Sequence, residues 1–591
     1  MTWRFAEFEL DEDRRELRLR GREVVLQPRV LDVLVHLVRN RDRVVPKDEL
    51  LEEVWSDAIV TESSLQRAVS LARTALRAGG LPEAIRSYPR RGYRFRAETA
   101  PGAAGTPETE SAPGLSPGLA AAREAFARAA WEEARTAFDA VDREDGLAGP
   151  DLERRGQCSL HLGRPADAIL PLERAVAAHS VAGDRRAAAR SAAMLCHVHF
   201  EGRRPAVAKG WHQRALRLLD GEPRGSELAT LEWMAGRIAL VEGDPEDAAA
   251  HCRRSLEIAR SIGDSDSEAL ALVYLGHALV ANGETRQGLA CHDEAAAAVI
   301  TGGLNPWCAG LVYCGIIYVC QNRGDWSRAA QWTESFTRWS DRCPVSTYPA
   351  VCRLHRAEVL TARGELASAE EKVAGTIAGL AESAPWAEGD ANRLLGDVRL
   401  ARGDLDGAGK AYRRARELGW DPSPGSAYLR LELGDAAGAL RSLERSLEDP
   451  NWPCRQRRRF LLAAVAHVAA AAGDLQRARA AEAEVATAED RDLSPAQRGA
   501  LLRARAEIAL AEGDAEGGIR TLRAAAGAWQ ELGCPLEVAP LRLRLAEALH
   551  GSGDAAEAAI ELDAAEEIFR KAGAEGRLED CARLRDGLGR A

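Results

Sequence analysis

Aromatic residues make up only 5% of this sequence, and much of its apolar content is alanine and leucine, a balance that favours helices over sheets. Long hydrophobic runs are missing: the longest, Leu311 to Cys320, is ten residues, about half of what spans a bilayer, so no membrane anchor is expected. The twelve cysteines contain no Cys-x-x-Cys pair and read as buried thiols in a reducing cytoplasm rather than a disulfide or zinc framework. Met1-Thr2-Trp3-Arg4-Phe5 lacks a charged-then-apolar leader, so no secretory signal is expected. Catalytic motifs are also lacking. Gly114-Leu115-Ser116-Pro117-Gly118 fits Gly-x-Ser-x-Gly but lies in a proline-rich stretch, where no strand-turn-helix elbow can form. Gly409-Lys410 is followed by Ala411 where a phosphate loop needs Ser or Thr. His197 and His199, two apart, point to different faces of a helix. No enzyme activity, cofactor or metal is therefore expected.

What is present is length, charge and repetition. A chain of 591 residues exceeds one hydrophobic core, and 46% hydrophobic with 29% charged residues is a globular composition. A Gly followed by Asp, Glu or Arg, then a helix start, recurs at Gly163, Gly202, Gly243, Gly283, Gly324, Gly364, Gly403, Gly434, Gly473, Gly513 and Gly553. Successive steps are 39 to 41 residues, except one of 31 before Gly434, where trimmed helices or a local change in curvature is expected. Each Gly can end a helix at positive φ, and the Asp can cap the next one. One such pair cannot bury its own apolar face, so the pairs must stack into a superhelix. The pattern resembles tetratricopeptide repeats lengthened to about forty residues, and predicts an α-solenoid of about 11–12 repeats over residues 119–591. Residues 98–118, rich in Pro, Gly, Ala, Thr and Ser, read as a flexible linker.

Residues 1–97 have a different texture. Trp3 to Leu10 and Glu16 to Leu26 read as short antiparallel strands. Three helices follow, starting near Pro28, at Pro46 and after Thr61, and Ala84 to Phe95 reads as a hairpin turning near Arg90-Arg91-Gly92. The net charge of −11 argues against a nucleic-acid binder, but from Val60 to Arg96 eight arginines face two glutamates. A basic patch on an acidic chain can hold phosphate locally while the rest discourages indiscriminate binding. With Leu65, Val69, Ala72 and Leu76 inward, the third helix turns Ser63, Arg67, Ser70 and Thr74 outward, short polar groups around one arginine suited to a major groove. Arg67 is the candidate for a bidentate guanine contact. Arg73 lies nearer the flank, where it contacts phosphate or is merely solvated. Tyr93 and Phe95 are read as packing the hairpin onto the third helix.

Three ordered stretches carry a family resemblance: Arg43 to Trp55, Ser64 to Leu76 and Ser87 to Phe95. Together they resemble the second helix, recognition helix and wing of OmpR/PhoB-type winged helices, especially the CadC/ToxR-like branch. The resemblance implies that Ser64 also approaches DNA, that Arg90 or Arg91 at the hairpin tip enters the minor groove, and that Ser56 to Val60 touches RNA polymerase. No receiver domain precedes the winged helix, so control by aspartyl phosphorylation is not expected. The repeats, at Gly324 to Glu358 and Trp529 to Gly533, are similar to modules of large LuxR/MalT-like bacterial regulators, which receive an inducer or partner. Eight aromatics between Trp307 and Tyr348, among them Tyr313, Trp326, Trp332 and Trp339, form either a ligand or partner pocket or the filling between longer repeat helices. The whole reads as a mostly α, cytoplasmic bacterial transcription regulator. Its small α+β winged helix-turn-helix binds double-stranded DNA as a homo-oligomer, and its repeats receive a small-molecule or protein signal. The rival reading is an interaction scaffold whose winged helix makes protein contacts.

Overall fold

The computed structural model describes the chain except residues 1, 13–14, 20–21, 25, 27, 55–61, 79–80, 82–83, 89–90, 98–99, 102–115, 343–348, 487–492 and 589–591. It divides into two compact units, Met1–Leu115 and Ser116–Ala591.

In the first unit, strands β1 (Thr2–Phe5), β2 (Phe8–Asp11), β3 (Glu16–Leu19) and β4 (Arg22–Val24) precede helices α1 (Pro28–Arg39), α2 (Lys47–Val54) and α3 (Glu62–Ala78). The hairpin β5 (Ile85–Tyr88) and β6 (Gly92–Phe95) follows, then the two-residue β7 (Ala100–Pro101). The sheet order is β4-β3-β2-β1-β7, all antiparallel, while β5 and β6 pair only with each other. Each run expected to be one strand is instead a strand pair. Trp3 and Phe5 alternate, as do Phe8 and Leu10, but the step between Phe5 and Phe8 is three, and Ala6-Glu7 make the turn there, with Ala6 at φ 48°. Trp3, Phe5, Phe8 and Leu10 pack against Val33, Leu34 and Leu37 of α1 and Leu65, Val69, Ala72 and Leu76 of α3, all buried in one core.

The expected linker, 98–118, is shorter at both ends. Ala100 and Pro101 pair with Arg4 and Trp3, because β1 otherwise offers an open edge. At the other end Ser116 accepts a hydrogen bond from the Leu119 amide at 3.3 Å and starts the helix Pro117–Ala127.

Twenty-five helices from Pro117 to Leu588 make up the second unit among its described residues, each packing on its neighbours in sequence. Asp caps recur as the repeat pattern predicts: Asp244, Asp325, Asp404, Asp435, Asp514 and Asp554 each accept from the amide three residues on. Of the eleven glycine marks, ten take positive φ; at the eleventh, Gly202 stays at −74° and Arg203 makes the left-handed step instead. The short step before Gly434 is a trimmed helix, Gly425–Glu432, of eight residues.

The superhelix returns on itself. Asn322 Nδ2 donates to Gln456 Oε1 at 3.0 Å, and Ser494 Oγ donates to the Arg323 carbonyl at 2.6 Å. Arg577 reaches both oxygens of Glu432, at 2.8 and 2.9 Å, and the Leu400 carbonyl at 2.8 Å. Segments 134 to 177 residues apart thus touch, and the inner helices wrap a lumen. No helix among the described residues is long and apolar enough to cross a membrane.

Candidate nucleic-acid interface

Helix α3 is amphipathic by its sequence, and its burial follows. Leu65, Val69, Ala72 and Leu76 are at most 1% exposed, whereas Ser70 lies on the exposed side. Ser63, Ser64, Arg67 and Thr74 are placed on α3 by its backbone, but their side chains lie outside the described residues, as does the whole of Arg90. Arg91 is exposed in the turn, its amide donating to the Tyr88 carbonyl at 3.0 Å.

Arg73 departs from the expected phosphate contact. Its Nε and Nη2 donate to the Ile85 carbonyl at 3.0 and 2.8 Å, and Nη2 also donates to Ser87 Oγ at 2.9 Å. The guanidinium is half-buried and straps α3 to β5, because at its position on the helix the side chain meets an unpaired strand edge. Arg73→Ala should cost about 1.5–3 kcal/mol of stability, the scale of hydrogen bonds to a charged group. A melt of the full chain checks this. A variant that keeps the wild-type melt but loses DNA affinity would return Arg73 to phosphate contact.

The hairpin is held from the other side as well. Val45 and Tyr93 exchange main-chain hydrogen bonds of 2.8 and 3.0 Å, and Phe95 meets Phe5 edge-on at 5.0 Å. Tyr93 and Phe95 therefore anchor the hairpin to Val45 and the sheet within the core they share with α3, and Arg73 adds a hydrogen-bonded link to that helix. Beneath, His36 Nε2 lies 3.0 Å from Glu49, and the Arg43 guanidinium bonded to Glu49 holds that carboxyl down to about 2, so this tie between α1 and α2 persists well into acid.

Two of the eight arginines counted in the sequence are separated by strand pairing. Arg86 stands opposite Arg94, a repulsive pairing. Arg94 Nε turns to the Arg41 carbonyl at 2.9 Å, leaving Arg86 exposed. Arg86, Arg91 and Arg96 are exposed and carry no ion pair among the described residues. Among the described residues the arrangement is an exposed Ser70 on α3 beside a basic hairpin.

In the repeat unit, the aromatic group separates. Tyr313 meets Phe336 at 5.1 Å, Trp339 at 5.8 Å and Trp332 at 6.4 Å, and its hydroxyl lies 3.1 Å from Ser335 Oγ. These four fill the space between the helices Pro306–Asn322 and Trp326–Ser340, whose facing sides carry them. Trp307 stands edge-on to His197 at 4.8 Å, and Tyr348 lies outside the described residues. A cavity of about 750 Å³ does occupy the lumen, but Trp326 is the only one of the five expected pocket residues on its wall. Gly409 and Lys410 sit inside the helix Leu405–Glu417, with Lys410 paired to Asp406 at 2.7 Å, so no phosphate loop forms there. Among the described residues no group of three or more His, Cys, Asp and Glu is placed to hold a metal.

Residues 21–95 match a family described as "Transcriptional regulatory protein, C terminal". Over 77 residues, 13% of this chain, the sequence is 34% identical to the transcriptional activator CadC of Escherichia coli (strain K12). Over 155 residues, 26% of this chain, it is 33% identical to the regulatory protein AfsR of Streptomyces griseus. Each match spans 15% of the relative's own length. The solved DNA-binding domain of E. coli CadC aligns with 17% of this chain and 94% of its own, at 28% identity and a TM-score of 0.16. The family match falls on the first unit, and the OmpR/PhoB-type resemblance read from its helices and wing is borne out.

Proposed function

We propose that this chain is a transcription regulator whose residues 1–97 bind double-stranded DNA in a sequence-specific manner. The repeat unit, Ser116–Ala591, receives a small-molecule or protein signal. The observation that carries the reading is helix α3, which buries Leu65, Val69, Ala72 and Leu76 and leaves Ser70 exposed, next to a hairpin bearing exposed Arg86, Arg91 and Arg96. In this reading α3 enters the major groove, Arg67 reads a guanine with Ser63, Ser64, Ser70 and Thr74 around it, and Arg90 or Arg91 reaches the adjacent minor groove. Arg86 and Arg96 meet phosphates. The match of residues 21–95 to a transcriptional-regulator family supports it, as do relatives named as an activator and a regulatory protein. The protein acts in the cytoplasm as a homo-oligomer on repeated half-sites, and residues 56–60 touch RNA polymerase. It carries out no catalysis of its own.

The test is genome-wide capture of DNA fragments by the purified full chain, against the variant Arg67→Ala, Arg90→Ala, Arg91→Ala. The expected result is one enriched sequence motif, lost in the triple variant. Arg67→Ala alone should weaken binding to that motif by about 1–3 kcal/mol and leave binding to random DNA nearly unchanged. Equal loss on both would remove base reading and leave phosphate contact only. No enriched motif, with or without cell extract, would overturn the regulator and favour the protein-contact scaffold.

A further inference from the structure

The lumen of the repeat unit holds charges of both signs that do not satisfy one another. On one wall Arg393 is surrounded by three carboxylates: Asp390 at 2.6 Å, Asp397 at 2.7 Å and Glu358 at 3.0 Å. Tyr412 also donates to Asp397 at 2.7 Å. One guanidinium cannot neutralise three carboxylates, and burial pushes Glu358 and Asp397 up from the ordinary carboxylate range. The lumen lining also carries two further guanidiniums, Arg457 and Arg503. Arg457 reaches only the Pro453 and Ser423 carbonyls, each at 3.4 Å, and has no ion pair among the described residues. Arg503 stands over the Tyr428 ring at 5.4 Å and makes one long ion pair, to Glu537 at 3.8 Å, with no hydrogen bond to it. Charges left in this state inside a protein are costly unless something pairs with them.

A second observation points the same way. His467, which lines the lumen and is 8% exposed, has an Nδ1 with no partner. Burial, with Arg503 and Arg544 nearby, holds the His467 ring far below its ordinary pKa, so it is neutral and offers one donor and one acceptor. Between these polar groups the wall is apolar and aromatic, with Tyr318, Tyr428 and Phe460. About 750 Å³ is within the size range of small-molecule pockets.

We propose that this lumen binds a small zwitterion with an apolar body, its acid group on Arg457 and Arg503 and its ammonium on the surplus carboxylates around Arg393. Its place as the signal site rests on the regulator reading above; the binding chemistry does not. A surplus of acid alone would suit a cation, and an unpaired Arg457 beside a loosely paired Arg503 alone would suit an anion. Both lie in one enclosure, and a zwitterion answers both.

The test uses the full chain and a panel of free-ended apolar dipeptides as probes, each beside its N-acetyl and its C-terminal amide form, with affinity read by calorimetry. The expected result is binding of free-ended probes that weakens about tenfold or more when either end is capped. Arg457→Gln and Asp390→Asn should each cause a similar loss. Arg457 has no ion pair to lose, so that variant keeps its melt and stands apart from misfolding. Absence of binding by every free-ended probe overturns the proposal, as does equal binding of capped forms. Tight binding of amides alone would make the lumen a cation site, and of acetylated forms alone an anion site; either result overturns the zwitterion. DNA capture on the same preparation separates the two readings. Motif binding without zwitterion binding removes only the lumen site, and zwitterion binding without motif binding removes only the regulator.

Discussion

Gly92→Ala is expected to unfold the N-terminal unit while the repeats stay folded. Gly92 sits at φ +129°, where an L side chain is strained, and a Cβ there would lie 1.9 Å from the Val45 carbonyl oxygen and 3.0 Å from Pro46 Cα. Both obstacles are main chain. The Val45 oxygen cannot move aside, because it accepts from the Tyr93 amide at 3.0 Å while Val45 donates back to Tyr93 at 2.8 Å. Strained backbone costs about 1–3 kcal/mol and overpacking a similar amount. Their sum, about 2–6 kcal/mol, approaches the whole stability of a small domain. The unit has its own core, so the effect should appear as one early transition, lower by about 15 °C or more, with DNA binding lost. Gly434→Ala is the control. Gly434 has φ +81° but open space around its Cβ, so only the backbone term of about 1 kcal/mol applies. An N-terminal transition within a few degrees of wild type would show that the Val45 to Tyr93 bridge gives way, and would remove it as the anchor of the hairpin.

Much of this architecture is local and so was legible in the sequence. Positive-φ glycines, Asp caps and the inward stripe of α3 each depend on residues a few positions apart, and the structure realises them. The trimmed step before Gly434 was visible as a spacing. Where the sequence reading fell short, the deciding contact was distant. Arg73 looked like an exposed cation because the strand edge it straps begins twelve residues later at Ile85. Composition alone left the aromatic group between Trp307 and Tyr348 open between a pocket and helix-pair filling, and the facing sides that carry Tyr313, Trp332, Phe336 and Trp339 decide for filling. The lumen was not legible at all. Its walls come from inner helices more than a hundred residues apart, brought together by the small rotation each repeat adds, and no short window of sequence encodes that sum.

The largest effect expected in the repeats is that of Arg393→Met. The side chain is 11% exposed and is the shared partner of Glu358, Asp390 and Asp397, so its removal leaves three carboxylates in the lumen without their cation. Breaking a buried ion pair from one side costs about 3–5 kcal/mol, most of it the desolvation of the charge left behind. The pH dependence distinguishes this from simple loss of packing. Glu358 and Asp397 are already pushed above the ordinary carboxylate range by burial, and loss of Arg393 removes the charge that opposes that rise. A carboxyl whose folded pKa is raised binds its proton more tightly in the native state than in the unfolded chain. Its favourable contribution is complete below the unfolded value, about 4, and is lost as pH climbs through the folded one. The variant should therefore come closest to wild type near pH 5 and fall furthest behind near pH 8, the reverse of ordinary acid denaturation. Adding Glu358→Gln and Asp397→Asn should recover much of the loss at the higher pH, since neutral amides can stay buried where unpaired carboxylates cannot. A deficit that is the same at both pH values, and is not recovered by the amides, would mean that Arg393 serves the lumen by filling space. The surplus negative charge on that wall, on which the zwitterion site depends, would then have to be abandoned.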